Sequence, residues 1–332
     1  MSCVYPWQGA DRRRLLGMRA HLPHAVLLVG PKGVGKRALA RDWGKTLLCE
    51  SPSAEGDACN QCQACHWFAA GTHPDWLHLT LEEKEAKDGD IRLASEITVE
   101  QARRAIEFAQ LSSYRGGRRI IYVDPADDLN RAAANAMLKV LEEPPLNTLI
   151  ILTSHQVRRL LPTLRSRCHR QEIVLPDPDL AIGWLREQGV SEPEVRLAFA
   201  GGSPLVALEG YEGETWTQRR EVLDALSAPL DLDVAAAGER WGRLPAMFWY
   251  ELSYKWLADL LASAVSAPVR FNPDYGAALT ALPGTARLGG LLTLSRRHAE
   301  DGRWADHPLN RPIQIESWLL DYRGLFEGRG LA

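Results

Sequence analysis

Short apolar runs alternate with amphipathic stretches over the first half of the chain. The run that ends at Gly30, HAVLLVG, is followed by a glycine-rich turn and then by Leu39, Trp43 and Leu47 at helical spacing. Three later runs, HPDWLHL, RRIIYVD and TLIILTS, also have the length and composition of buried strands. Strands that alternate with helices predict a parallel sheet covered by helices on both faces.

Local signals mark where the elements between these strands begin and end. Thr98 to Gln101 reads TVEQ, a capping box that predicts a helix to about Leu111. Asn130 can cap the next helix, which Pro144 must stop because proline cannot continue the hydrogen-bond ladder. The charged segment 82–90, EEKEAKDGD, predicts an exposed loop.

The second half of the chain changes character at a proline-dense segment, LPDPDLA, between Leu175 and Ala181. From Leu180 onward the periodicity is mostly helical, with a break at GGSP, residues 201–204. We therefore predict an α/β domain over 1–175 and helical structure beyond it.

Length and charge narrow the class of protein. With 332 residues the chain exceeds a usual single domain of about 100–200 residues. Its net charge of -3 argues against a protein that coats nucleic acid on its own. Because no apolar run approaches the roughly 20 residues that span a bilayer, we expect a cytoplasmic protein that has no membrane contact.

Four of the six cysteines crowd into one short stretch, at Cys49, Cys59, Cys62 and Cys65. In a reducing compartment this clustering favours metal over disulfides, and four thiolates can close the tetrahedral shell of a structural zinc ion. Free thiols are the alternative. Two histidines, His66 and His73, are possible substitutes for one ligand.

The glycine-rich turn is one residue away from the phosphate-binding pattern GxxxxGK[ST]. Gly30, Gly35 and Lys36 match the pattern and Gly33 adds a further glycine, but Arg37 occupies the position of the hydroxyl that binds magnesium. An arginine there places a fixed positive charge where Mg²⁺ belongs.

A second departure lies at the end of RRIIYVD. Asp124 is where a magnesium-binding carboxylate is expected, but Pro125 follows it, at the position where a glutamate would activate water. Since proline has no group that accepts a proton, we expect no hydrolysis, and ATP to bind weakly or not at all.

Exposed arginines offer two further candidate sites. Arg165 and Arg167 lie just after a predicted strand, and each is either a surface salt-bridge partner or an arginine that reaches a phosphate on a neighbouring subunit. A second basic region comprises Arg103, Arg104, Arg115, Arg118 and Arg119. Arg103 and Arg104 are either a solvated helix face or contacts to DNA phosphates.

The order of these motifs resembles one family. The near-match loop, the cysteine cluster, DPADDLNRAAANAMLKVLEEPP (124–145), SRC (166–168) and GGSP (201–204) are together similar to the delta prime subunits of the bacterial DNA polymerase III clamp loader, which are AAA+ proteins. The resemblance covers about Tyr5 to Leu208; beyond it, only helical character and length agree.

The resemblance implies roles for particular residues. Arg167, in SRC, would be the arginine finger presented to ATP in an adjacent gamma/tau subunit, and the four clustered cysteines would bind zinc. Thr153 lies near the position called sensor 1, whereas Pro204 and Leu205 replace the sensor 2 arginine of ATP-hydrolysing relatives. The glycine-rich loop would then be a relic that the fold retains for its turn.

The resemblance also implies an architecture and partners. An AAA+ P-loop domain (1–175) with its zinc module at about 49–65 would be followed by a helical lid (176–208) and an all-α collar (209–332). The collar would join gamma/tau and delta in a ring that loads the beta sliding clamp on primer-template DNA. The chain would thus belong to a polymerase holoenzyme without being an ATPase or a polymerase itself. The alternatives are a clamp-loader ATPase active in its own right and a free-standing zinc-dependent DNA-binding protein.

Overall fold

The computed structural model describes residues 4–85, 91–114, 116–210, 213–284, 286, 288–302 and 310–327. The chain forms two compact units, Met1–Ala181 and Ile182–Ala332. The first unit holds the sheet, and the described part of the second is helical. The division of the second half into lid and collar stays a prediction.

A five-stranded parallel sheet is the centre of the first unit, and from one edge to the other its strands are Trp76–Leu79, Arg119–Val123, Thr148–Ser154, Ala25–Val29 and His169–Glu172. Its middle strands are buried along their whole length, as expected for a sheet covered on both faces. The strands are β1 (Ala25–Val29), β2 (Trp76–Leu79), β5 (Arg119–Val123), β6 (Thr148–Ser154) and β7 (His169–Glu172). The predicted parallel α/β architecture is confirmed.

The helices of the first unit begin and end largely where the local signals place them. They are α1 (Gly9–Gly17), α2 (Lys36–Leu48), α3 (Gln63–Ala69), α4 (Val99–Gln110), α5 (Arg131–Glu142) and α6 (Pro162–Arg165); α7 (Pro178–Glu187) spans the division between the units. Thr98 forms the capping box of α4 with Gln101, and the Asn130 side chain accepts a hydrogen bond from the Ala133 N–H at 2.8 Å. Both predicted caps are confirmed.

The charged segment after β2 differs from its prediction. Glu83–Glu85 (β3) pairs antiparallel with Ile91–Leu93 (β4), whereas a loop was expected over 82–90; residues 86–90 lie outside the described part. Ile91 and Leu93 are exposed. The hairpin was missed because its first strand is entirely charged, a composition that carries no strand signal.

Two hydrophobic clusters lie on opposite faces of the sheet. One includes Leu27, Ile121 and Ile150 together with α4 and α5, and the other includes Leu28, Tyr122 and Trp43 of α2. Parallel pairing also sets Val29 beside Ser154 and Val123 beside Leu152. The carboxyl ends of β1, β5 and β6 therefore meet at one edge, where the glycine-rich loop starts.

The second unit is built from α8 (Pro193–Phe199), α9 (Pro204–Glu209), α10 (Glu214–Ser227), α11 (Val234–Trp241), α12 (Ala246–Ala264), α13 (Gly276–Ala281), α14 (Leu288–Asp301) and α15 (Arg311–Gly324). Its core is rich in aromatic rings: Trp249 lies 5.6 Å from Trp241 and 5.4 Å from Trp318 between ring centroids. Trp256 donates to the Tyr322 hydroxyl at 2.9 Å. None of the described helices combines the length and hydropathy needed to cross a bilayer.

A buried polar cluster ties one loop to the helices of this second unit. Arg219 is fully buried and makes a bidentate ion pair with Asp274 at 2.7 and 2.8 Å, and it donates to Asn272 Oδ1 at 2.9 Å. Its guanidinium lies over the rings of Phe199 and Trp216, at 4.7 and 4.6 Å from their centroids. These contacts fix the loop before α13 against α8 and α10.

Candidate functional site

The glycine-rich loop connects β1 to α2 at the carboxyl edge of the sheet. Gly35 has φ = +91°, and a Cβ there would lie 2.6 Å from both Gln8 Nε2 and a ring carbon of Tyr5. A Cβ on Gly30 would lie 2.1 Å from the Ile173 carbonyl oxygen. Gly30 and Gly35 are therefore required by close packing, independent of any bound phosphate.

The segment before α1 packs directly on this loop. Trp7 Nε1 and Gln8 Nε2 both donate to the Val34 carbonyl, at 3.0 and 3.1 Å, and the rings of Tyr5 and Trp7 stack with centroids 5.0 Å apart. The sequence carries no signal for this contact, because no local pattern links residues 5–8 to a loop more than twenty residues away.

The side chain of Lys36 folds back onto the glycine-rich loop that precedes it. Its Nζ donates to the carbonyl oxygens of Gly30 and Pro31, at 2.6 and 2.7 Å, and the side chain is buried. Burial lowers the pKa of Lys36 to about 8, although Asp124 and Asp127 act in the opposite direction. Backbone carbonyls thus provide acceptors for the ammonium that a P-loop lysine directs at phosphates.

Arg37 and Thr153 both donate hydrogen bonds to the carboxylate of Asp124. Arg37 Nε donates to one carboxylate oxygen and the Thr153 hydroxyl donates to the other. Asp124 is only 3% exposed, whereas the Arg37 side chain that forms an ion pair with it is 63% exposed. Both oxygens that could bind magnesium are engaged, and Pro125, joined to Asp124 by a cis peptide bond, offers no carboxylate.

A second acidic side chain at this edge has a structural role. Asp127 accepts from the Ser154 hydroxyl at 2.8 Å and from the backbone N–H groups of His155 and Gln156. Burial lowers the pKa of His155 to about 4, so its ring is uncharged near neutral pH. The only signal for Asp127 in the sequence was the acidic composition of DPADD after β5.

The predicted nucleotide-site residues therefore do come together. The loop glycines, Lys36, Arg37 and Asp124 lie at one edge of the sheet, but the contacts among the charged members are made within the protein. Among the described residues, the site has the arrangement of a phosphate loop whose charged side chains contact other protein atoms.

The four clustered cysteines converge on one point. Their sulfur atoms all lie within 4.8 Å of one another, with Cys49 and Cys62 sulfurs 3.9 Å apart and Cys59 and Cys65 sulfurs 4.0 Å apart. A tetrahedral zinc ion with Zn–S bonds of about 2.3 Å requires sulfurs about 3.8 Å apart. The donor set and its spacing fit zinc.

Local geometry presents these sulfurs to a cation. Cys49 follows the last residue of α2, and Cys62 is the N-cap of α3, accepting from the Cys65 N–H. Backbone N–H groups of Gln61 and Cys62 lower the pKa of the Cys59 thiol, whereas burial raises the pKa of Cys49 and Cys65. A cation would favour the thiolate form of all four.

The two histidines weighed as substitute ligands are placed otherwise. His73 is buried, its Nδ1 accepts the Asp75 N–H at 3.0 Å, and its ring packs edge-on against Trp67. His66 is exposed at the end of α3's first turn. The cluster contains the four cysteines without either histidine.

We expect protein purified without chelator to contain one zinc ion per chain, and Cys62→Ser to lose it because three thiolates leave the shell open. Elemental analysis by mass spectrometry would measure the stoichiometry. Cys168→Ser is the matched control, since Cys168 lies apart and donates to the Leu164 carbonyl at 3.3 Å. Equal zinc content in Cys62→Ser and the parent would contradict the four-cysteine site.

Arg167 lies beyond α6, with its guanidinium held by two acceptors. One NH group forms an ion pair with Glu142 at 2.6 Å, and the other donates to the Thr163 carbonyl at 2.8 Å. A third of its side chain, 34%, remains exposed. Arg165 faces elsewhere, towards the Val157 carbonyl at 3.4 Å.

The basic region predicted on α4 and the turn after it has fewer exposed arginines than its composition suggests. Arg103 and Arg104 are exposed, and Arg104 forms an ion pair with Glu82. Arg119 is instead buried, donates to the carbonyls of Phe108 and Ser112, and cannot face DNA. Arg115 lies outside the described residues.

Sequence comparison identifies the relatives of this chain. Residues 17–177 match the family model described as DNA polymerase III, delta subunit. The delta prime subunit of DNA polymerase III from Pseudomonas aeruginosa is 40% identical over 79% of this chain and 78% of its own length. Those from Yersinia pestis (35% identical, 96% and 95%) and Escherichia coli K12 (32%, 89% and 85%) match over nearly the whole chain. The chain therefore belongs to the family of DNA polymerase III delta prime subunits.

Proposed function

We propose that this chain acts in bacterial DNA replication as a clamp-loader subunit that does not hydrolyse ATP and that presents Arg167 to ATP bound by a neighbouring gamma/tau subunit. It would work in the cytoplasm, within a ring that also contains delta and that sets the beta sliding clamp on primer-template DNA. The proposal that this chain does not hydrolyse ATP rests on one observation, the contact of Asp124 with Arg37 and Thr153.

This contact opposes catalysis in its own site for an electrostatic reason. Magnesium is held at a working P-loop by a Ser/Thr hydroxyl and a carboxylate. Here the carboxylate is already neutralised by Arg37, whose positive charge would repel the metal ion, and Lys36 is satisfied by backbone carbonyls. Nucleotide binding would have to break these internal contacts and displace the arginine.

The alternative function, a clamp-loader ATPase active in its own right, requires a base and a metal site. Pro125 supplies no base, and both carboxylate oxygens of Asp124 already accept hydrogen bonds, from Arg37 and Thr153. The non-hydrolysing function is therefore favoured.

The isolated chain is expected to turn over no ATP above the rate of a protein-free control, because both the metal ligand and the base are replaced. Steady-state phosphate release at saturating Mg-ATP measures this directly. Lys36→Ala distinguishes true activity from contamination, since it removes the lysine that a P-loop needs. Turnover by the pure parent chain that disappears in Lys36→Ala would contradict the proposal.

The arginine-finger role is supported by the position of Arg167 and its partial exposure. It lies in a short segment between α6 and β7, fixed at both ends by regular structure, and 34% of its side chain is exposed. The planar, permanently charged guanidinium can contact phosphate oxygens bidentately.

A DNA-contacting role for α4 rests on Arg103 and Arg104. Replacing both by alanine is expected to weaken DNA binding by the assembled loader and to make the logarithmic salt slope shallower by up to about 2, if each neutralises one phosphate. DNA affinity measured over a salt series tests this. The double variant Arg240→Ala/Arg243→Ala removes two exposed charges, one in the last turn of α11 and one just beyond it, and should leave the slope unchanged. Identical slopes for both double variants would assign Arg103 and Arg104 to a solvated helix face.

A further inference from the structure

Two elements that are distant in sequence immobilise one side of the Arg167 guanidinium. Glu142 is the last residue of α5 and Thr163 belongs to α6, and these two helices pack against each other. The ion pair to Glu142 is 2.6 Å long and the hydrogen bond to Thr163 is 2.8 Å long. The acceptors engage different NH groups, so they define the plane of the guanidinium as well as its place.

Glu142 lies at the C-terminus of α5, where the helix dipole disfavours a carboxylate. The C-terminus of a helix carries partial negative charge, so a carboxylate in the last turn is destabilising unless a cation compensates. Pro144 and Pro145 end α5 immediately afterwards and so fix the position of this carboxylate. The contact with Arg167 sets a cation directly against Glu142, in addition to Lys139 in the last turn of α5, and it gives Arg167 an anchor.

We propose that Glu142 is a positioning residue for Arg167, which holds the guanidinium in one orientation so that its exposed part can meet a phosphate. The inference rests on the proposed finger role of Arg167. An unanchored arginine samples many rotamers and must lose that freedom whenever it contacts a phosphate. The ion pair removes this freedom in advance, which raises the rate of the step that uses the arginine.

The test uses the complete ring, assembled with gamma/tau and delta, and measures DNA- and clamp-stimulated ATP hydrolysis. The variants are Glu142→Gln, Glu142→Asp, Glu143→Gln, Arg167→Ala and the double variant Glu142→Gln/Arg167→Ala. Glu143→Gln is the matched control because Glu143 is adjacent and also exposed. The part of the turnover that Arg167→Ala removes defines the contribution of the adjoining site.

We expect Glu142→Gln to lower kcat for the Arg167-dependent turnover by about 1.5-fold to fivefold, the range that corresponds to a partly exposed ion pair. The KM for ATP should not change, since the nucleotide is bound by the neighbouring subunit. Glu142→Asp should recover part of the loss, and Glu143→Gln should behave as the parent. In the Arg167→Ala background, Glu142→Gln should have no further effect.

Each contrary result has a distinct meaning. Unchanged or faster Arg167-dependent turnover in Glu142→Gln overturns the positioning role and leaves the finger role intact. An equal loss in both backgrounds shows that Glu142 acts without Arg167, which also overturns the inference. If Arg167→Ala hydrolyses ATP as the parent does, the proposed function itself fails. Thermal melting of each variant confirms that the fold is retained.

Discussion

Replacing Arg167 by alanine is expected to slow ATP hydrolysis at the adjoining gamma/tau site by roughly 10³–10⁵, the usual worth of an arginine finger. In the proposed role the guanidinium would stabilise charge that develops on a phosphate bound by another subunit, so its loss should leave this chain folded and the ring assembled. Total turnover of a ring with several active sites would fall by a smaller fraction. Clamp loading and stimulated ATPase activity, measured on rings of verified mass, test the expectation.

Two variants separate a finger from a surface charge. Arg167→Lys should not restore activity, because a point charge cannot reproduce the planar fork of the guanidinium. Arg165→Ala should behave as the parent, since Arg165 lies in the same segment but its side chain approaches the Val157 carbonyl. If Arg167→Ala loads clamps normally, Arg167 is not an arginine finger and serves only as the ion-pair partner of Glu142.

Arg219→Ala is expected to destabilise the second unit by about 3–5 kcal/mol, the usual effect of removing one partner of a buried ion pair. The substitution leaves Asn272 and part of Asp274 without their cation and opens space between the rings of Phe199 and Trp216. For a unit of this size the melting temperature should fall by roughly 6–20 °C. Circular dichroism on the zinc-loaded protein would follow the transition.

Arg220→Ala supplies the comparison for this stability effect. Arg220 is the next residue, and its side chain is 52% exposed and paired with Glu192 at the surface. Exposed pairs contribute about 0–1 kcal/mol, so Arg220→Ala should melt close to the parent. If Arg219→Ala and Arg220→Ala have the same melting temperature, the buried cluster does not hold the loop before α13 in place.

Much of the first unit could be predicted from sequence because its signals are local. A capping box, an N-cap asparagine, a pair of prolines and a run of apolar residues each act on atoms a few residues away. They placed α4, α5 and the buried strands, and the parallel sheet followed from their alternation. The same applies to the cysteines, whose short spacing allows four sulfurs to converge.

Charged residues were the least predictable, because a charge does not reveal its partner. Arg119 belonged by composition to a basic surface, yet it is buried under Phe108 and bound to two carbonyls. The charged strand β3 was expected to be loop because its composition carries no strand signal; only its pairing with β4 made it a strand.

The sequence by itself determined that the phosphate loop lacks its magnesium-binding hydroxyl and its catalytic base, since the residues at positions 37 and 125 are arginine and proline. Only the tertiary structure decided what replaces them. Arg37 and Asp124 are 87 residues apart, and their contact exists because parallel pairing brings the ends of β1 and β5 to one edge of the sheet. In the same way, the packing of α5 on α6 set Glu142 beside Arg167. Which charges neutralise one another depends on which strand ends and helix ends meet, and that is a property of the whole sheet and its covering helices.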